Sequence, residues 1–87
     1  KAAHYYRLQV RDEPGVIAKI SFLFGEKGIS IDALIQHEAR SKEDLGSVPL
    51  VIMSGKITDK EAVKLKNILE DLPEVLPGVK KFRIHSG

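Results

Sequence analysis

The residues best placed to do chemistry are Asp12, Glu13, Pro14 and Gly15, which lie between a segment of alternating polarity and a segment of helical periodicity. Gly15 lets a ligand approach the backbone closely. The N–H groups opening a helix lack intrahelical acceptors, so a carboxylate there meets several donors and the positive end of the helix dipole, worth about 0.3–1 kcal/mol. An α-amino acid also carries an ammonium group, for which the Asp12 carboxylate is an acceptor. The stretch has a purely structural reading as well: Asp12 caps the helix, and Pro14-Gly15 shapes the turn into it.

Other chemistries find little support. His4, His37 and His85 fall in three different elements, without an i, i+4 pair or an HExxH-type spacing, and predict no metal site. No serine has a nucleophile-elbow context, and neither a Walker loop nor a GxGxxG occurs, so no catalytic residue is assigned. Glu43-Asp44 and Glu70-Asp71 read as solvated charge. RNA-binding sheets stack bases on strand aromatics, but Val48 to Met53 contains none, which leaves Tyr5 alone to serve.

The elements that must position the loop follow from periodicity. Tyr5 to Val10 sets Tyr6, Leu8 and Val10 against Tyr5, Arg7 and Gln9, the pattern of a half-buried strand. A helix is predicted from about Gly15 to Lys27, with Val16, Ile17, Ile20, Leu23 and Phe24 on one face and Gly28 as a left-handed cap. A second strand starts at Ile29, with Ile29, Ile31, Ala33 and Ile35 on one side and Ser30, Asp32, Leu34, Gln36 and Glu38 on the other. Ser41 to Gly46 is a charged connection of hairpin length. Val48 to Met53 is almost continuously apolar, so Val51 and Met53 predict cover on the sheet's open side, such as a second copy.

Thr58-Asp59-Lys60-Glu61 has the form of a capping box and opens a second helix. Its stripe is Ala62, Leu65, Ile68, Leu69 and Leu72, and Pro73 ends it. The last strand is Val79 to Ile84, with Phe82 and Ile84 inward and Lys81 and Arg83 outward. The order β-α-β-β-α-β, with two helical stripes to bury on one sheet, predicts an α+β, ferredoxin-like βαββαβ two-layer sandwich. Its four-stranded antiparallel sheet, in order 4-1-3-2, carries both helices on one face.

Composition bounds the function. With 87 residues, 43% hydrophobic and 30% charged, the chain reads as a single domain over residues 1–87. A domain this small buries only about 60% of its unfolded surface and is poorly suited to enclosing a deep active site by itself. No cysteine is present, so no disulfide framework or thiolate metal site is expected, in keeping with a cytoplasmic protein. A net charge of +2, with both signs interspersed, makes no nucleic-acid stripe. No apolar run approaches the roughly 18 residues of a membrane span. A start at Lys1 without Met suggests a piece of a longer polypeptide.

The run Leu8-Gln9-Val10-Arg11-Asp12-Glu13-Pro14-Gly15-Val16-Ile17-Ala18-Lys19-Ile20, followed by Gly28-Ile29-Ser30-Ile31, resembles an ACT domain over nearly the whole chain. Tyr5-Tyr6, Ile35-Gln36 and Val48 to Met53 further resemble the C-terminal regulatory segment of the homoserine dehydrogenase family. The resemblance implies a non-catalytic regulatory module that forms a homodimer through ACT–ACT pairing and binds an amino-acid effector, L-threonine in that family. The NAD(P) of the enzyme would belong to a catalytic part outside this chain. By position, the effector residues implied are Asp12, Glu13, Pro14, Gly15 and Val16, with Ile35 and Gln36 from the second strand. Asp12 would meet the ammonium, the N–H groups around Gly15 to Ile17 the carboxylate, and Gln36 a polar side chain. A module that associates without a ligand, or an ACT domain of another amino-acid biosynthetic enzyme, are the alternatives.

Overall fold

The structure, a computed structural model, describes residues 1–37 and 46–85. Along the chain run β1 (His4–Arg11), α1 (Val16–Glu26), β2 (Ile31–Gln36), β3 (Ser47–Ser54), α2 (Asp59–Asp71) and β4 (Lys80–Arg83). The sheet order is β2-β3-β1-β4, and all three neighbouring pairs are antiparallel. This is the ferredoxin-like sandwich expected from the element order. Of the predicted connection Ser41 to Gly46, only Gly46 lies within the described residues.

The alternation in β1 places Tyr6, Leu8 and Val10 toward the helices, where Val48, Leu50 and Ile52 of β3 join them. Val16, Ile20 and Phe24 of α1 and Ala62, Leu65 and Leu69 of α2 complete one continuous apolar core. Each large side chain so buried contributes about 1.5–3 kcal/mol, so the core supplies most of what holds the layers together. The Tyr6 hydroxyl crosses it to donate to the Ala62 carbonyl at 2.8 Å, and burial pushes the phenol up to about 12. Gly28 adopts φ 69 just beyond α1, the left-handed ending predicted for it.

Two strands depart from the simple alternation. In β2, Ile31 pairs with Ser54 but Ala33 already pairs with Met53, so a bulge at Asp32 inserts one residue and reverses the faces beyond it. Leu34 and Gln36 therefore join Ile31 on the helix side, while Ala33 and Ile35 lie on the open face opposite Met53 and Val51. The expected single side of Ile29, Ile31, Ala33 and Ile35 is corrected accordingly: the strand begins at Ile31, and Ala33 and Ile35 lie on the face opposite to it.

In β4, pairing with β1 puts Phe82 beside Tyr5 on the open face, half exposed, with the two rings edge to face at 5.9 Å. Lys81 and Arg83 take the helix side. The inward placement of Phe82 is thus overturned. Tyr6 and the start of α2 fill the core along this edge, and an aromatic pair across the ladder suits Phe82, whereas Arg83 can lie along the rim with its charge in water. Arg83 Nε ends 3.7 Å from Asp59 Oδ1.

Candidate functional site

The turn after β1 leads into α1 through Gly15, which sits at the N-cap position with φ 86. An N-cap residue normally takes extended backbone and folds its side-chain oxygen back onto the first turn. In the left-handed conformation, with no side chain, Gly15 provides no such cap, and among the described residues no other side chain caps α1. The structural reading of Asp12 as helix cap is therefore not realised. The Val16 N–H reaches only the Glu13 carbonyl at 3.5 Å, and the N–H groups of Ile17 and Ala18 donate to no described residue.

Ile17 and Ala18 line a cavity of about 170 Å³, together with Asp12, Glu13, Gly15, Val16 and Gln36. Asp12 is held through its backbone, whose N–H donates to the Gly46 carbonyl at 2.9 Å, so its exposed carboxylate is left available. Glu13 is drawn toward Arg11, whose Nη1 lies 3.8 Å from Glu13 Oε1. One turn into the helix, Lys19 Nζ meets Glu74 at 2.7 Å, and that hydrogen bond holds the Glu74 carboxyl below the usual carboxylate range. The lining thus combines first-turn N–H groups without an acceptor among the described residues and the acid Asp12, the two kinds of partner a zwitterion needs.

Five of the seven residues singled out in the sequence line this cavity: Asp12, Glu13, Gly15, Val16 and Gln36. Gln36 gets there because the bulge at Asp32 turns it to the helix side. The same bulge sends Ile35 to the opposite face of the sheet, away from the cavity. Pro14 shapes the turn without lining the space. Arg11, Ala18 and Val48 also line it and were not anticipated. Val48 comes in because it pairs with Val10, and nothing in a single strand announces its partner.

Residues 7–74 match the family described as ACT domain. The chain belongs to the ACT domain family. A homoserine dehydrogenase of Pseudomonas aeruginosa is 30% identical over 84 residues, which are 97% of this chain and 19% of that protein. This ACT domain thus spans about a fifth of the length of that relative. Among solved structures, a homoserine dehydrogenase from Thiobacillus denitrificans superposes with a TM-score of 0.78 at 28% identity, covering 97% of this chain and 17% of that one. The acetolactate synthase small subunit from Thermotoga maritima gives 0.74 at 28% identity, covering 98% and 48%. Among the described residues, no helix is long and apolar enough to cross a membrane.

Proposed function

We propose that this ACT domain is the regulatory segment of a homoserine dehydrogenase and binds an amino-acid effector, L-threonine, at the open start of α1. One observation carries the reading: the N–H groups of Ile17 and Ala18 have no described acceptor and border a cavity that also holds Asp12 and Gln36. At about 170 Å³ the space lies below the roughly 300–1,000 Å³ of ordinary ligand pockets and suits a single small amino acid. The effector carboxylate accepts from the first turn of α1, the ammonium donates to Asp12, and Gln36 meets the side-chain hydroxyl. Similarity to homoserine dehydrogenases over nearly the whole chain supports the choice of enzyme.

The cavity lies beside β2, an edge strand of the sheet, so a second copy placed along that edge would close it. In this reading the domain works as a homodimer in the cytoplasm. Effector binding favours one arrangement of the pair and so biases an NAD(P)-dependent catalytic part elsewhere in the parent enzyme. Calorimetric titration of L-threonine into the chain, alongside Asp12→Asn, tests the reading. Saturable binding that weakens at least tenfold in the variant is expected, since a charge-assisted contact is worth about 1.5–3 kcal/mol. Absence of heat at millimolar L-threonine would overturn it.

A further inference from the structure

The face of the sheet away from the helices carries a second concavity, of about 570 Å³, that the amino-acid site does not use. Arg7 of β1 and Lys80 of β4 are direct partners across the antiparallel ladder and share this face. Cations placed opposite one another repel, with their Cβ atoms only about 4.5–5.5 Å apart. Among the described residues neither is in an ion pair, whereas Lys19, Lys66, Arg11 and Arg83 each have a carboxylate within reach. An unrelieved like-charge pair at the rim of a cavity is the arrangement an incoming anion would relieve.

The rest of the lining defines what accompanies the anion. Tyr5, whose ring is braced edge-on by Phe82, provides an apolar surface together with Pro49 and Val51. Gln9 and His37 add polar groups. The volume falls within the roughly 300–1,000 Å³ of small-molecule pockets and is more than three times that of the amino-acid cavity. A second copy lying sheet to sheet is a poorer occupant. Among the described strand residues that the register places on this face there is no acid, while Arg7, Arg11 and Lys80 are cations, so a two-fold axis would bring like charges together.

We infer that this face binds a flat-ringed organic anion of mononucleotide size, its ring on Tyr5, Pro49 and Val51 and its phosphate between Arg7 and Lys80. The site is separate from that for the amino acid, and its test stands whatever the outcome with threonine.

The chain is titrated with adenosine 5′-monophosphate while backbone amide resonances are followed, with adenosine, inorganic phosphate and a short single-stranded RNA as parallel probes. Expected are saturating shifts at Arg7, Gln9 and Lys80 with the nucleotide, about tenfold weaker binding of adenosine or phosphate alone, and a similar weakening in Arg7→Gln and in Lys80→Gln. Both variants should melt no lower than the parent, because each removes the repulsion. No shifts at about 10 mM nucleotide, shifts confined to Gly15 to Ala18, or equal shifts at lysines all over the surface would overturn the inference. Tighter binding of the RNA, per nucleotide, than of the mononucleotide would replace it with a nucleic-acid surface.

Discussion

The two helices of this domain sit on the same core but begin in opposite ways. α2 starts with a closed first turn: Thr58 Oγ1 accepts from the Glu61 N–H at 3.1 Å, and Glu61 Oε1 accepts from the Thr58 N–H at 3.0 Å. The Thr58 hydroxyl donates to that same Glu61 oxygen at 2.9 Å. Asp59, in the same turn, is approached by Arg83 and by Nε2 of the fully buried His4, at 3.7 and 3.5 Å. The first turn of α1 has none of this. Its N-cap is a glycine in the left-handed region, and residues of its first turn line a cavity. Among the described residues, the domain satisfies the helix start that only holds structure and leaves without acceptors the one that borders the proposed effector cavity.

If the contrast is confined to the first turns, the bodies of the helices should be equally important. Ile20 of α1 and Leu65 of α2 are both about 1% exposed. Ile20→Ala and Leu65→Ala should each cost about 2–5 kcal/mol in a urea unfolding titration, from lost burial plus the cavity left behind. A loss in Ile20→Ala below about 1 kcal/mol would show that α1 is loosely seated as a whole, and the comparison would no longer concern its first turn.

Gly15 gives the next largest effect. A Cβ there would meet no atom within 4 Å, so any loss on substitution comes from backbone strain at φ 86 and not from a clash. Gly15→Ala should cost about 1–2 kcal/mol, and Gly15→Asn clearly less, because Asn tolerates the left-handed region. Equal losses in the two variants, read from thermal melts, would mean that the position is constrained by something other than its φ.

How much of this was legible in the sequence differs between the two helix starts. The capping box is a local pattern of four residues, and the helix it opens ends just before Pro73 as the sequence predicts. The Asp12-to-Gly15 loop was equally visible, but whether Asp12 caps α1 depends on the conformation of Gly15, which sequence alone leaves open. The larger misses are all matters of register. A one-residue bulge at Asp32 moved Gln36 into the cavity side and Ile35 out of it, and pairing with Tyr5 put Phe82 on the open face. Arg7 and Lys80 are separated by most of the chain, and nothing within either strand marks them as partners. Periodicity tells which residues of a strand share a side; only the ladder tells what stands opposite.

Removing the cap hydroxyl tests the closed helix start directly. Thr58→Ala should cost about 1 kcal/mol, while Thr58→Ser should be close to neutral because it keeps both hydrogen bonds. A neutral Thr58→Ala would make the two helix starts energetically alike despite their geometry.

The smallest effect separates charge from geometry in that box. The backbone and side-chain hydrogen bonds from Thr58 hold the Glu61 carboxyl below the usual carboxylate range. In the unfolded chain Glu61 loses these donors and titrates near its ordinary value, about 4.3. A carboxyl with its pKa lowered by folding contributes stability above the unfolded value and loses it as the pH falls through the folded one. Glu74, lowered by Lys19, titrates in the same direction, so the acid limb of the parent protein sums both groups. Glu61→Gln isolates one of them: the amide oxygen still accepts from Thr58 but carries no charge and does not titrate. The stability gap between parent and Glu61→Gln should therefore be constant above about pH 5.5 and shrink steadily below about pH 4.5. A gap that does not change with pH would mean that the box works through geometry alone, and that the acidic first turn of α2 adds nothing to its closure.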